Sequence, residues 1–171
     1  MTASLPARPP SRLLFTVGES RLALECRSVV EVVPRVPMHR PVAAPSALAG
    51  FFDYRGTLAP VVDLHALLLD TPCPPERAAR IAVVRLEADW RFRLVGLLAE
   101  GFTRLIAGDA PQQAALHVPG RPYVGGWVRE DTGTAIQLVV AERLLGPAWL
   151  EMLLGSAATD ASATPRAEAA S

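Results

Sequence analysis

Gly56-Thr57 and Gly133-Thr134 stand 77 residues apart, and Leu67-Leu68 and Leu144-Leu145 keep the same separation. Between these markers, Leu58-Ala59-Pro60-Val61-Val62-Asp63 lies over Ala135-Ile136-Gln137-Leu138-Val139-Val140. Each copy reads as a turn, an apolar strand and a short helical turn that carries Leu-Leu. An offset held across both a strand and a helix predicts two similar lobes. The length agrees, since 171 residues suit one domain or two small lobes with a shared core. Half of the residues are hydrophobic, which is enough to fill that core.

Strand signals dominate the chain. Leu13 to Val17 and Arg21 to Glu25 flank the turn Gly18-Glu19-Ser20 and predict a hairpin. Ile81 to Glu87 and Arg91 to Leu98 flank Ala88-Asp89-Trp90 and predict a second. Arg91-Phe92-Arg93-Leu94-Val95 alternates polar and apolar, as a half-buried strand does. Thr57 to Val62 and Thr134 to Val140 predict two more strands. The chain's 16 Pro and 12 Gly interrupt these runs closely, which favours short strands over long helices. Helix signals are brief. Asp63 precedes Leu64 to Leu69 and is placed to cap a helix start. Glu142 to Leu145 predicts a single turn, and Pro147 to Leu154 a further short helix.

Residues 1–11 form a polar, Pro-containing leader and residues 155–171 an Ala/Ser/Thr-rich tail. Both are expected to be disordered, which leaves 12–154 as the folded part. The leader lacks the apolar segment of a signal peptide. No apolar run approaches the ~18 residues that cross a bilayer. Cys26 and Cys73 lie far apart and suggest no disulfide framework. The cytoplasm is the expected location.

Chemistry is sparse. His39, His65 and His117 are scattered, share no metal-ligand spacing, and read as solvated or loop residues. No Ser sits in a nucleophile elbow, and no P-loop or dinucleotide fingerprint appears. Gly125-Gly126 reads as a strand entry or a close backbone approach. Cys26 beside Arg27 reads as an ordinary thiol. Lys plus Arg and Asp plus Glu number 17 each, and zero net charge argues against a nucleic-acid binder. The arginines at 77, 80, 85, 91 and 93 read as a solvated face.

The segment Gly50-Phe51-Phe52-Asp53-Tyr54-Arg55-Gly56-Thr57-Leu58-Ala59-Pro60-Val61-Val62-Asp63-Leu64 is the most distinctive. It resembles the pattern G-h-x-N-h-R-G-x-h-h-P-h-h-D-L of CheW-like chemotaxis coupling proteins, where h is apolar. Physically, Arg55-Gly56 turns between two strands, Pro60 opens a buried run and Asp63 caps a helix. Leu22-Ala23-Leu24, Val29 to Val33, Gly96 to Phe102, Pro122 to Gly126 and Ile136 to Leu145 follow in the family's order. Asp53 stands where the family usually has Asn, Tyr54 where it usually has Leu, and Glu100 where Asp is common. Val140 replaces a polar residue, so the second helical turn lacks a cap.

The resemblance implies an all-β fold with short helices, built as two SH3-like β-barrel lobes around a shared core. It implies an adaptor without catalysis or cofactor, coupling the cytoplasmic tip of a methyl-accepting chemoreceptor to a CheA-type histidine kinase. It also places Val29, Glu31, Arg55 and Gly56 in the receptor-binding region. On the residues alone two other readings stay open. One is a small β-barrel that binds nucleic acid or an unrelated peptide. The other is an enzyme with an inconspicuous site.

Overall fold

The computed structural model describes residues 11–75, 78–86, 94–107, 112–113, 119, 121–130 and 132–144. Residues 1–10 of the expected leader, the expected tail, the tip of the second hairpin and the Pro147 to Leu154 helix lie outside them.

The strands are β1 Arg12–Val17, β2 Ser20–Glu25, β3 Val29–Pro34, β4 Leu48–Tyr54 and β5 Thr57–Asp63. Helix α1, Leu64–Leu69, follows, and then β6 Ala79–Arg85, β7 Leu94–Ile106 and β8 Gln112–Gln113. Strands β9 Val124–Arg129 and β10 Ala135–Val139 lead into α2, Ala141–Leu144. Both expected hairpins form, β1 with β2 and β6 with β7, antiparallel in each case.

The repeat is visible in the pairing. Strand β5 runs antiparallel to β4 and parallel to β7, with Val61 beside Gly96. Strand β10 runs antiparallel to β9 and parallel to β2, with Leu138 beside Ala23. Parallel neighbours need a crossover connection, and between β5 and β7 it carries α1 and β6. One lobe is therefore ordered β3-β6-β7-β5-β4 and the other β7-β1-β2-β10-β9. Strand β7 serves both, its first half against β6 and its second against β1. A bridge from His39 to Phe51 brings the chain beyond β3 back onto β4, and β8 does the same on β9. Each lobe closes into a small barrel.

Apolar side chains sort by face. On β6, Ile81 and Val83 point into the first barrel with Phe52, Tyr54, Ala59, Val61 and Leu98. Their neighbours Ala82 and Val84 join a larger cluster with Phe15, Leu24, Leu48, Leu97 and Val139, drawn from both lobes. The second barrel holds Leu14, Ala23, Val128, Ile136 and Leu138. Strands buried on both faces need apolar residues at successive positions, which explains the run Ile81-Ala82-Val83-Val84. Each fully buried Val, Leu or Ile contributes about 1.5–3 kcal/mol relative to exposure.

Asp63 caps α1 as the sequence predicts. Its Oδ1 accepts from the N–H groups of His65 at 2.9 Å and Ala66 at 3.2 Å. Its Oδ2 also accepts from Cys73 N–H at 2.8 Å, so the same buried carboxylate anchors the loop after the helix. Gly125 confirms a close backbone approach, since a Cβ there would lie 3.0 Å from the Leu138 carbonyl oxygen. One expectation is corrected. His65 is not solvated but 4 % exposed, because the helix start turns it inward beside Glu100, with Nε2 3.6 Å from Oε2. His39 sits in the bridge to β4, and His117 lies outside the described residues.

Candidate functional site

The β4–β5 hairpin closes with only Arg55 and Gly56 between paired Tyr54 and Thr57. Both turn residues take positive φ, 52° and 82°, as a two-residue turn matched to strand twist requires. Gly56 adopts this conformation freely, whereas Arg55 does so at a cost of about 1 kcal/mol. Asp53 offsets part of that cost, because its Oδ1 accepts the Gly56 N–H at 2.6 Å. An Asn, which the pattern this segment resembles carries here, would offer an amide oxygen to the same N–H.

The turn projects Arg55 outward, leaving its side chain 74 % exposed. Its Nη2 donates to Glu31 Oε2 at 2.8 Å. The Tyr54 hydroxyl donates to the same oxygen at 2.6 Å. The Arg55 guanidinium carbon lies 5.3 Å from the centroid of the Tyr54 ring, within cation–π range. The ring itself is buried and packs against Phe52 with centroids 6.1 Å apart. A carboxylate that accepts the phenolic proton favours the protonated form, so Glu31 raises the Tyr54 pKa. Burial adds to this and Arg55 opposes it.

Glu31, Arg55 and Gly56 thus meet at one end of the first barrel. Val29 does not join them at the surface. It is half-buried and packs against the core shared by the lobes. The register shifts between Val29, opposite Val84, and Glu31, opposite Val83, which leaves Val30 as the extra residue of a bulge. Val30 is 40 % exposed and is the apolar side chain next to Glu31 on the surface. Leu58, 59 % exposed and paired with Asp53, lies on the outer face of the hairpin. Nothing in Val29-Val30-Glu31-Val32-Val33 signals a bulge, but Leu58 shares a face with Asp53 and was open to detection by alternation.

No group of His, Cys, Asp and Glu among the described residues is arranged to hold a metal. Two described pockets, of ≈ 80 and ≈ 90 Å³, flank β10. Both are well below the ~300 Å³ at which small-molecule sites begin. Cys73 is buried, and burial together with the Asp63 carboxylate pushes its thiol up to about 11. Cys26 is half-buried and also raised, so neither thiol is activated. Among the described residues no helix is long and apolar enough to cross a membrane. What the described residues present at this end of the barrel is a tight hairpin with the outward Arg55 guanidinium and the exposed side chains of Val30 and Leu58.

Comparison with known proteins identifies the family and the fold. A family model described as the CheW-like domain matches residues 11–147. No curated protein matches the sequence. Among solved structures, the scaffolding protein TtCheW from Thermoanaerobacter tengcongensis superposes with a TM-score of 0.72 at 20 % identity. The alignment covers 87 % of this chain and 95 % of that one. At such identity the likeness speaks for the fold, while the family match spans all of the described residues. The chain belongs to the CheW-like family.

Proposed function

We propose that this protein is a chemotaxis coupling adaptor that catalyses nothing. It joins the cytoplasmic tip of a methyl-accepting chemoreceptor to a CheA-type histidine kinase, and it works in the cytoplasm, where that tip lies. Family membership supports the adaptor role. The observation that carries the receptor contact is the convergence of Glu31, Tyr54 and Arg55 at one end of the first barrel. Arg55 presents its planar fork there, with Glu31 and Gly56 beside it and Val30 as an apolar neighbour. Val29 supports the strand from within. An adaptor of this kind transmits a signal only through contacts that differ between receptor states. A hairpin anchored in a barrel core is well suited to that, because its own shape changes little.

A titration of labelled receptor-tip fragment against wild type and Arg55→Ala tests the assignment. Loss of about 2 kcal/mol or more of binding marks Arg55 as a hot spot. Equal affinities, with both proteins folded, move the receptor face elsewhere. Salt-sensitive binding to a polyanion would favour a nucleic-acid role instead.

A further inference from the structure

The exposed ion pair of the first barrel rests on a buried aromatic ring. On its own, a pair between an exposed Arg and a half-exposed Glu is weakly held and easily screened. Here Tyr54 touches both partners. Its hydroxyl donates to Glu31 Oε2, the oxygen that Arg55 also uses, and its ring lies 5.3 Å from the guanidinium carbon. The ring is 8 % exposed and fixed in the barrel core beside Phe52. The pattern that this segment resembles carries Leu at this position. A leucine fills the same core, yet it neither donates to a carboxylate nor offers a π face.

We propose that Tyr54 is the positioning residue for Arg55, and that Arg55 is positioned to meet a carboxylate on the receptor tip. This rests on the reading that the Arg55 turn is the receptor face. Guanidinium carries five N–H donors and no acceptor. One donor is committed to Glu31, and the side chain remains 74 % exposed. The group that fits a planar fork of remaining donors is a carboxylate. Two contacts from within the barrel already restrict the long Arg side chain. Less rotamer freedom is then lost when the receptor binds. The hydroxyl holds Glu31, Glu31 holds Nη2, and the ring supports the guanidinium.

The test measures affinity for a labelled receptor-tip fragment, with thermal unfolding of every variant alongside. Tyr54→Phe keeps the ring and removes only the hydroxyl. It is expected to weaken binding about three- to tenfold while the fold persists. Tyr54→Leu, which removes the π face as well, is expected to weaken it further in a side chain suited to the core. In a Glu31→Ala background, Tyr54→Phe is expected to have no further effect, because its partner is already gone. Equal losses in both backgrounds overturn the positioning role. If Arg55→Ala weakens binding but Tyr54→Phe binds as wild type, the receptor face stands and the positioning role falls. If Arg55→Ala binds as wild type, both fall. A tip fragment whose exposed carboxylates are changed to amides should no longer distinguish Arg55→Ala from wild type. A persisting difference overturns the carboxylate partner.

Discussion

Glu31 of β3 and Arg104 of β7 occupy the same place in the two barrels, with opposite charge. The registers establish this. Glu31 lies opposite Val83, Val83 opposite Gly96, and Gly96 beside Val61. Arg104 lies opposite Leu14, Leu14 opposite Ala23, and Ala23 beside Leu138. Val61 and Leu138 are themselves partners in the 77-residue repeat. Tyr54 of β4 pairs with Thr57 of β5, and just beyond the paired ends of β9 and β10 Glu130 donates its N–H to the Thr134 carbonyl. The Tyr54 hydroxyl reaches Glu31 at 2.6 Å, and Arg104 Nη2 reaches Glu130 Oε1 at 2.6 Å. The same opening is clasped in both barrels, by a phenol and a carboxylate in one and by a guanidinium and a carboxylate in the other.

Asp63→Ala is expected to destabilise the protein by about 2–4 kcal/mol. A lost cap alone costs about 0.5–2 kcal/mol. The buried Cys73 N–H, left without its acceptor, adds about 1–3 kcal/mol. Asp63→Asn keeps one acceptor oxygen and should fall between the two. Denaturant unfolding measures both. A loss below about 0.5 kcal/mol would show that the loop relaxes to find other partners.

Gly96→Ala tests the barrel interior. A Cβ at Gly96 would lie 2.7 Å from Ile81 Cγ2 and 3.0 Å from Val61 Cγ2. Both neighbours are β-branched and fully buried, so neither can rotate away without straining the core. Overpacking of this kind costs about 1–3 kcal/mol. A thermal midpoint equal to wild type would mean that β7 shifts to make room.

Much of this architecture is legible in the sequence, and the reasons are local. The 77-residue offset survives because a strand of fixed length must be followed by a helical turn in each lobe. Asp63 is readable because a cap is set by neighbouring N–H groups. The turn at Arg55-Gly56 is readable because Gly supplies a positive φ. What remained hidden depends on residues far apart in the chain. The second acceptor role of Asp63 needs Cys73 brought back over the helix. The Tyr54–Glu31 contact spans 23 residues and exists only once β3 and β4 border one barrel. The inward turn of His65 likewise depends on Glu100 of β7.

Thiol labelling should separate the two cysteines. At pH 8 a thiol raised to about 11 has roughly a thousandth of its population as thiolate. Cys73 is also 3 % exposed, whereas Cys26 is only half-buried. One label per chain is expected under native conditions, on Cys26, with Cys73 reacting only after unfolding. The raised Cys73 pKa also gives a sign for alkaline stability. Below pH 9.0, the ordinary value, the thiol is protonated in both states, and its contribution is fully present. As pH rises through about 11, the unfolded chain has already ionised and the contribution is lost. Cys73→Ala should flatten this alkaline decline.

Tyr54 offers a direct reading of its own hydrogen bond. The chain has two tyrosines, so Tyr123→Phe leaves Tyr54 as the sole phenol. Its ionisation, followed by phenolate absorbance, is expected above the ordinary value of 10.0. Glu31→Ala removes the largest cause of that rise and should bring the midpoint down. Arg55→Ala should move it up, because the guanidinium favours the phenolate. Shifts in the same direction for both variants would contradict the assigned contacts.

The two clasps should separate stability from recognition. In the second barrel the Glu130 side chain is 6 % exposed and shared by Arg104 and Arg21, at 2.6 and 3.4 Å. Thr132 Oγ1 donates to it as well, at 3.2 Å. Glu130→Ala removes the acceptor of Arg21 and Thr132 and the ion-pair partner of Arg104. The arginines are 57 % and 46 % exposed, so water recovers part of the loss. A cost of about 1–2 kcal/mol in stability is expected, with receptor affinity unchanged. Glu31 is 39 % exposed, and Glu31→Ala should cost no more than about 1 kcal/mol of stability. It should nevertheless weaken receptor binding, because Arg55 loses its anchor. Measuring both quantities for both variants gives a crossed pattern if equivalent positions have diverged into a structural clasp and a recognition clasp. Receptor binding lost equally in Glu130→Ala would place the second barrel's mouth in the interface too, and the division between the lobes would not hold.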